Sequence, residues 1–169
     1  MAVDGATTVE VLQQLQKLPQ GSTHLALSVG GNDALDSISR LQSPVTSVKQ
    51  ALVALTQIRT SFQVRYQALL IKIKLTKMPL IVCTIYDSVP GLPAELKTAL
   101  GLFNDVILSE AIKHKLPVLD FRVICVEPND YSVKSPIEPS SQGGAKLAQM
   151  LVTVAHEHDF DAGGCRIYW

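Results

Sequence analysis

The run "PLIVCTIYD", residues 79–87, limits what this chain can become more than any other stretch. Leu80, Ile81, Val82 and Cys83 are consecutive and apolar, so a strand through them shows hydrophobic side chains on both faces. Strands of that kind belong to parallel sheets covered on both sides, and parallel neighbours need long crossover connections. The flanking sequence offers helices for those connections. Pro44 and Ser47 open a long helix over 47–77, with Val48, Leu52, Leu55, Ile58, Phe62, Tyr66, Leu69 and Ile73 on one stripe. A second helix is expected from about Glu95 to His114, and a third through "QGGAKLAQMLVTVAHEH". Thr7 and Thr8 can cap a helix at the N-terminus, and "THLALSV" reads as a short buried strand. "LPVLDFR" and "VICVEP" read as one strand or two, "DALDSISRLQSP" as a turn-rich linker, and "NDYSVKSPIEPSSQGG" as a long loop. Alternation of this kind implies an α/β chain with a parallel sheet.

At 169 residues the chain is expected to form a single domain, 1–169. Fifteen basic and fifteen acidic side chains cancel, which removes the electrostatic footprint of a nucleic-acid binder. Cys83, Cys125 and Cys165 are far apart, so neither a zinc ribbon nor a disulfide framework is supported, and Cys83 and Cys125 read as buried, inert thiols. The most apolar region is broken by Lys72, Lys74 and Lys77, which argues against a membrane span. The N-terminus lacks a signal-peptide pattern, so a cytoplasmic location is the default expectation. The two histidines of "HEHD" are two residues apart and would point to different faces of a helix, so no metal site and no cofactor are expected.

In parallel α/β sheets ligands bind at the carboxyl ends of strands. "VDGATT", "SVGGNDAL", "IYDSVPG" and "EPND" fall there, with strand ends expected near Gly5, Val29, Asp87 and Val126. An asparagine amide at such an end, held by glycines, suits one task well: donating a hydrogen bond to a developing oxyanion. Asp33 can tie the same turn to its own backbone.

The ordered blocks "AVDGATT", "SVGGNDAL" and "SPIEPSSQGGAKLA", with "CTIYD" and "LFNDVI" between them, resemble the SGNH (GDSL-type) hydrolases. The resemblance implies a three-layer, flavodoxin-like α/β/α fold and ester hydrolysis by a serine nucleophile, acting on a small-molecule ester or acyl ligand. It would make Gly5 and Asn32 oxyanion donors. Two blocks depart from the family. The Gly-Asp-Ser turn and the first strand would have to lie upstream, since only four residues precede Gly5. Where the family carries Asp-x-x-His, this chain has Ser135 and Glu138. A glutamate is ordinarily about two pH units weaker a base than a histidine. Glu138 is therefore expected to hold the last loop by accepting hydrogen bonds rather than to act as the base. The chain is expected to be an N-terminally incomplete, inactive ester hydrolase, or else a non-catalytic ligand-binding relative. A missing first strand would also leave two interior sheet edges unpaired.

Overall fold

The computed structural model describes residues 3–169. In chain order it contains α1 (Thr8–Gln14), β1 (Leu25–Leu27), α2 (Gly31–Leu35), α3 (Ile38–Leu41), α4 (Val48–Lys74), β2 (Leu80–Cys83), α5 (Ala94–His114), β3 (Val118–Leu119), α6 (Ser141–Glu157) and β4 (Ile167–Tyr168). Two compact units form. One runs to Ser22 and resumes over Val29–Met78; the other joins Thr23–Ser28 to Pro79–Trp169.

The second unit holds the whole sheet, in the order β1-β2-β3-β4 and parallel throughout. Register is set by pairs such as Leu25 with Leu80, Val82 with Val118, and Leu119 with Tyr168. All four residues of β2 are buried, as a parallel strand covered on both faces requires. Ile81, Cys83 and Leu119 face a core that includes Leu147 and Val154 of α6, while the alternate residues Leu80, Val82 and Val118 are equally buried. The α/β architecture with a parallel sheet is therefore the observed one.

Helix starts follow local chemistry. The Thr7 hydroxyl accepts from the Val9 amide while Glu10 accepts from the Thr7 amide, closing a capping box on α1. Ser47 caps α4 through the Gln50 amide, and Ser140 caps α6 through the amides of Gln142 and Gly143.

Several expectations are corrected. The linker after the glycines folds into two short helices, α2 and α3. "VICVEP" is no strand: the Asp120 carboxylate accepts from the Arg122 amide and turns the chain into a 3-10 helix over Phe121–Val123. That moves the strand end from Val126 back to Leu119. β2 likewise ends at Cys83, before Asp87. The described residues before Ala6 form a turn, so no strand end is seen at Gly5. β4, in "RIYW", went unread because two residues carry no periodicity. On α4 the buried stripe runs from Ile58 through Phe62, Tyr66 and Leu69 to Ile73, whereas Val48 and Leu52 are exposed. The expected gap inside the sheet is also absent. β1 pairs directly with β2 and lies at an edge, three residues long, which keeps its open side short.

At the start of α6, Gly143 is a steric requirement. A Cβ there would meet the Asp130 carbonyl oxygen at 2.1 Å, while one at Gly144 meets nothing within 4 Å. Gly143→Ala should therefore lower the urea midpoint, at a cost of about 1–3 kcal/mol from overpacking. Gly144→Ala should raise it, by up to ~1 kcal/mol, through helix propensity. Equal shifts of the same sign would contradict the close approach.

Candidate functional site

In the first unit, two successive residues of α2 grip the segment that precedes and opens α1. Gly30, at φ 119°, lets the chain turn sharply into α2. Asn32 then donates from its side-chain amide to the Ala6 carbonyl at 3.1 Å. Asp33 is 2% exposed and accepts from the Thr8 amide at 3.0 Å and the Thr8 hydroxyl at 2.7 Å. Arg65 of α4 completes the clasp, with Nη2 3.3 Å from Asp33 and Nη1 donating to the Ser61 hydroxyl at 2.9 Å. Asp33 thus ties α1 to α2 and α4 instead of tying its own turn. Gly5 sits beside this grip at φ +74°, where an L side chain would be strained although nothing occupies the space.

The structure therefore brings Gly5 and Asn32 to one place. An asparagine amide carries two N–H donors. One of Asn32's is used on Ala6, and the other has no partner among the described residues. Asn104, in "LFNDVI", is a useful contrast. It is buried, accepts from the Ile85 amide at 2.7 Å and donates to the Ile85 carbonyl at 2.9 Å. That side chain closes a backbone gap after β2 and keeps no exposed donor for a ligand.

In the second unit, the ends of β2 and β3 carry a second polar group. Thr84 donates to Asp120 at 2.7 Å and accepts from the Phe121 amide at 2.9 Å, while Arg122 forks onto the same carboxylate. Burial pushes the Asp120 carboxyl up, but the Arg122 and Thr84 hydrogen bonds outweigh it and hold the group below its ordinary value.

Beyond Asp120, Tyr86 donates to the Ile137 carbonyl at 2.6 Å and sets its ring edge-on to Tyr131, centroids 5.5 Å apart. Burial raises the Tyr86 phenol to about 12. The Ser132 amide donates to the Glu138 carbonyl at 2.8 Å, and the Glu138 amide to Ser135 at 2.9 Å.

The Glu138 carboxylate itself makes no hydrogen bond among the described residues, so it is not the anchor expected of it. Asp130 takes that task. Fully buried, it binds Lys146 at 2.7 Å, Gln142 at 3.1 Å and the Glu127 amide at 3.0 Å. Burial raises its carboxyl, and the Lys146, Glu127 and Gln142 bonds more than reverse this. Sequence reading missed Asp120 and Asp130 because their partners lie on other elements; an aspartate directly after a two-residue strand was the one local hint.

Other serine and histidine side chains, each a possible nucleophile or base by residue type, are placed as follows. Ser28 follows β1 and is exposed. His24 precedes β1 and packs edge-on to Phe160. His114 ends α5, 3.9 Å from Glu110. His156 is exposed on α6, and His158 bonds Tyr168 through Nδ1 at 2.9 Å. No serine hydroxyl is bonded to a histidine ring among the described residues. Cys83 and Cys125 are buried, and burial raises the Cys83 thiol to about 12. Among the described residues no helix is long and apolar enough to cross a membrane, and no cluster of ligand-type side chains could hold a metal.

No protein-family model and no curated protein matches this chain. Solved structures do. An extracellular lipase from Streptomyces rimosus matches with TM-score 0.65 at 18% identity, over 89% of this chain and 77% of the lipase. An acetyl xylan esterase matches with TM-score 0.66 at 15% identity, over 91% and 78%. A GDSL-like lipase from Bacteroides thetaiotaomicron matches with TM-score 0.59 at 14% identity, over 89% and 71%. The chain has the fold of these lipases and esterases.

Asp120 and Asp130 give a pH prediction. Each carboxylate is held below its unfolded value, so its contribution is complete at neutral pH. It is kept above the ordinary carboxylate pKa of about 4 and lost as pH falls through the lower folded value. Acid unfolding followed by circular dichroism should therefore steepen below about pH 4. Asp130→Asn should cost about 2 kcal/mol at neutral pH and flatten that acid limb, because Lys146 is left without its charge partner. A variant with an unchanged acid limb would assign the pH dependence elsewhere.

Proposed function

We propose that this chain is the oxyanion-stabilising, acyl-binding part of a GDSL/SGNH-type ester hydrolase fold. In that reading the backbone amide of Gly5 and the free N–H of Asn32 face the oxygen that becomes negative as a carbonyl is attacked. The observation that carries it is the second Asn32 N–H, which has no partner among the described residues and lies beside Gly5. The fold shared with lipases and an esterase supports the substrate class, a small ester or acyl group. Preorganised donors of this type contribute about 3–4 kcal/mol each to a tetrahedral transition state. Glu138 stands where relatives place a histidine and is not the base in this reading.

A second reading, binding without turnover, is favoured because no serine is bonded to a histidine among the described residues. A serine hydroxyl needs an adjacent base before it attacks a carbonyl at useful rates.

Ligand binding tests the donor both readings share, and turnover separates them. Residues 1–169 alone should hydrolyse p-nitrophenyl acetate no faster than a protein blank. A short alkylphosphonate, which mimics the tetrahedral anion, should shift the Asn32 side-chain NH₂ resonance saturably, and Asn32→Ala should abolish binding. Once the family's Gly-Asp-Ser strand is fused ahead of residue 1, turnover would support the hydrolase reading. In that fusion Asn32→Ala should then cost about 10²-fold or more in kcat. Glu138→Gln should cost less than about tenfold, because a general base is worth about 10²-fold or more. Phosphonate binding that ignores Asn32→Ala would overturn the proposed donor.

A further inference from the structure

The first unit contains a crevice that the proposed ester site does not use. Its volume is about 260 Å³, and its walls come from the start of α1, from α2 and α3, and from the middle of α4. Two guanidinium groups, Arg40 and Arg65, line it together with Asp33 and Asp36. The charges are unequal in what they still have to offer. Asp33 is already engaged by three bonds, two from Thr8 and one from Arg65. Arg65 uses one nitrogen on Asp33 and one on Ser61, and its remaining N–H groups are unassigned. Arg40 makes no side-chain hydrogen bond or ion pair among the described residues. Glu10, near the rim through Thr7, is occupied by its capping box. Ile58, which is buried, and Val9 supply apolar wall.

We propose that this crevice binds a small organic carboxylate. Arg40 takes the anion in a forked pair of hydrogen bonds, the free N–H groups of Arg65 add a second contact, and a short aliphatic tail lies on Ile58 and Val9. A guanidinium presents parallel N–H donors at the spacing of carboxylate oxygens, and such charge-assisted pairs are about twice as strong as neutral ones. The volume, below the roughly 300–1,000 Å³ of sites for drug-sized ligands, limits the tail to a few carbons. Asp36, the one unassigned carboxylate on the wall, repels the anion and keeps the site weak.

The test is titration of the ¹⁵N-labelled chain with butyrate, with butyramide as the uncharged isostere and inorganic phosphate as the anion without a tail. Butyrate should shift the Arg40 and Arg65 Nε–H resonances saturably, with Kd on the order of 1 mM. Butyramide should give no saturation, and phosphate should bind at least severalfold more weakly. Arg40→Gln changes an exposed side chain with no hydrogen bond or ion pair among the described residues, so it should leave the thermal midpoint unchanged while weakening butyrate about tenfold or more. Asp36→Asn should tighten butyrate severalfold. The proposal falls if butyrate does not saturate, if butyramide matches it, or if phosphate binds as tightly. It also falls if Arg40→Gln binds normally. Weaker butyrate binding in Asp36→Asn would overturn it too, since Asp36 would then be holding a cationic part of the ligand.

Discussion

The carboxylate of Asp33 is the fixed point of the N-terminal unit. Nearly all its accessible surface is lost, and its oxygens receive a backbone amide and a hydroxyl from Thr8 and a guanidinium N–H from Arg65. A charge so far removed from water is tolerable only when paired and hydrogen-bonded. Here the bonds also do topological work, because Thr8 opens α1, Asp33 sits in α2 and Arg65 in α4. One side chain therefore holds three helices in register, and satisfies an amide that the start of α1 leaves without an intrahelical partner.

The placement of Asn32 follows from that clasp. Once Asp33 is locked to Thr8, the preceding residue of α2 faces the preceding part of the N-terminal segment, and its amide reaches the Ala6 carbonyl. The amide is oriented at the expense of one of its two donors, which leaves the other fixed in direction. Asn104 shows the opposite outcome of similar chemistry. Its amide both donates to and accepts from the Ile85 backbone, closing a local gap after β2. Residue type does not separate these two asparagines, and each spends one donor on a backbone carbonyl; burial separates them, since Asn104 is 2% exposed and Asn32 only partly buried.

That distinction explains what the sequence could and could not tell. Caps were legible because they act within four residues: Thr7 with Glu10, Ser47 with Gln50. The run 80–83 was legible because four buried positions in a row fit a parallel strand. Partners distant in sequence were not. Asp33 with Thr8 spans 25 positions, Thr84 with Asp120 spans 36, and Asp130 with Lys146 spans 16. Locally, only the place of Asp120 directly after β3 hints at burial. α4 shows a different limit: its apolar stripe was readable, yet periodicity names a face without saying how much of it is covered, and Val48 and Leu52 stay exposed.

The last loop shows why a position matched by resemblance does not fix a role. Glu138 and Asp130 both lie just before α6, and either carboxylate could have braced the loop. Asp130 is the one that reaches Lys146, Gln142 and the Glu127 amide, and its own carbonyl accepts from Ser140. The backbone of Glu138 is held at both amide and carbonyl, while its carboxylate makes no hydrogen bond among the described residues. Because the loop is already braced from elsewhere, removing the Glu138 charge has little structure to disturb. Any functional effect of Glu138→Gln would then report on ligand or chemistry rather than on folding, and a melting temperature measured alongside separates the two.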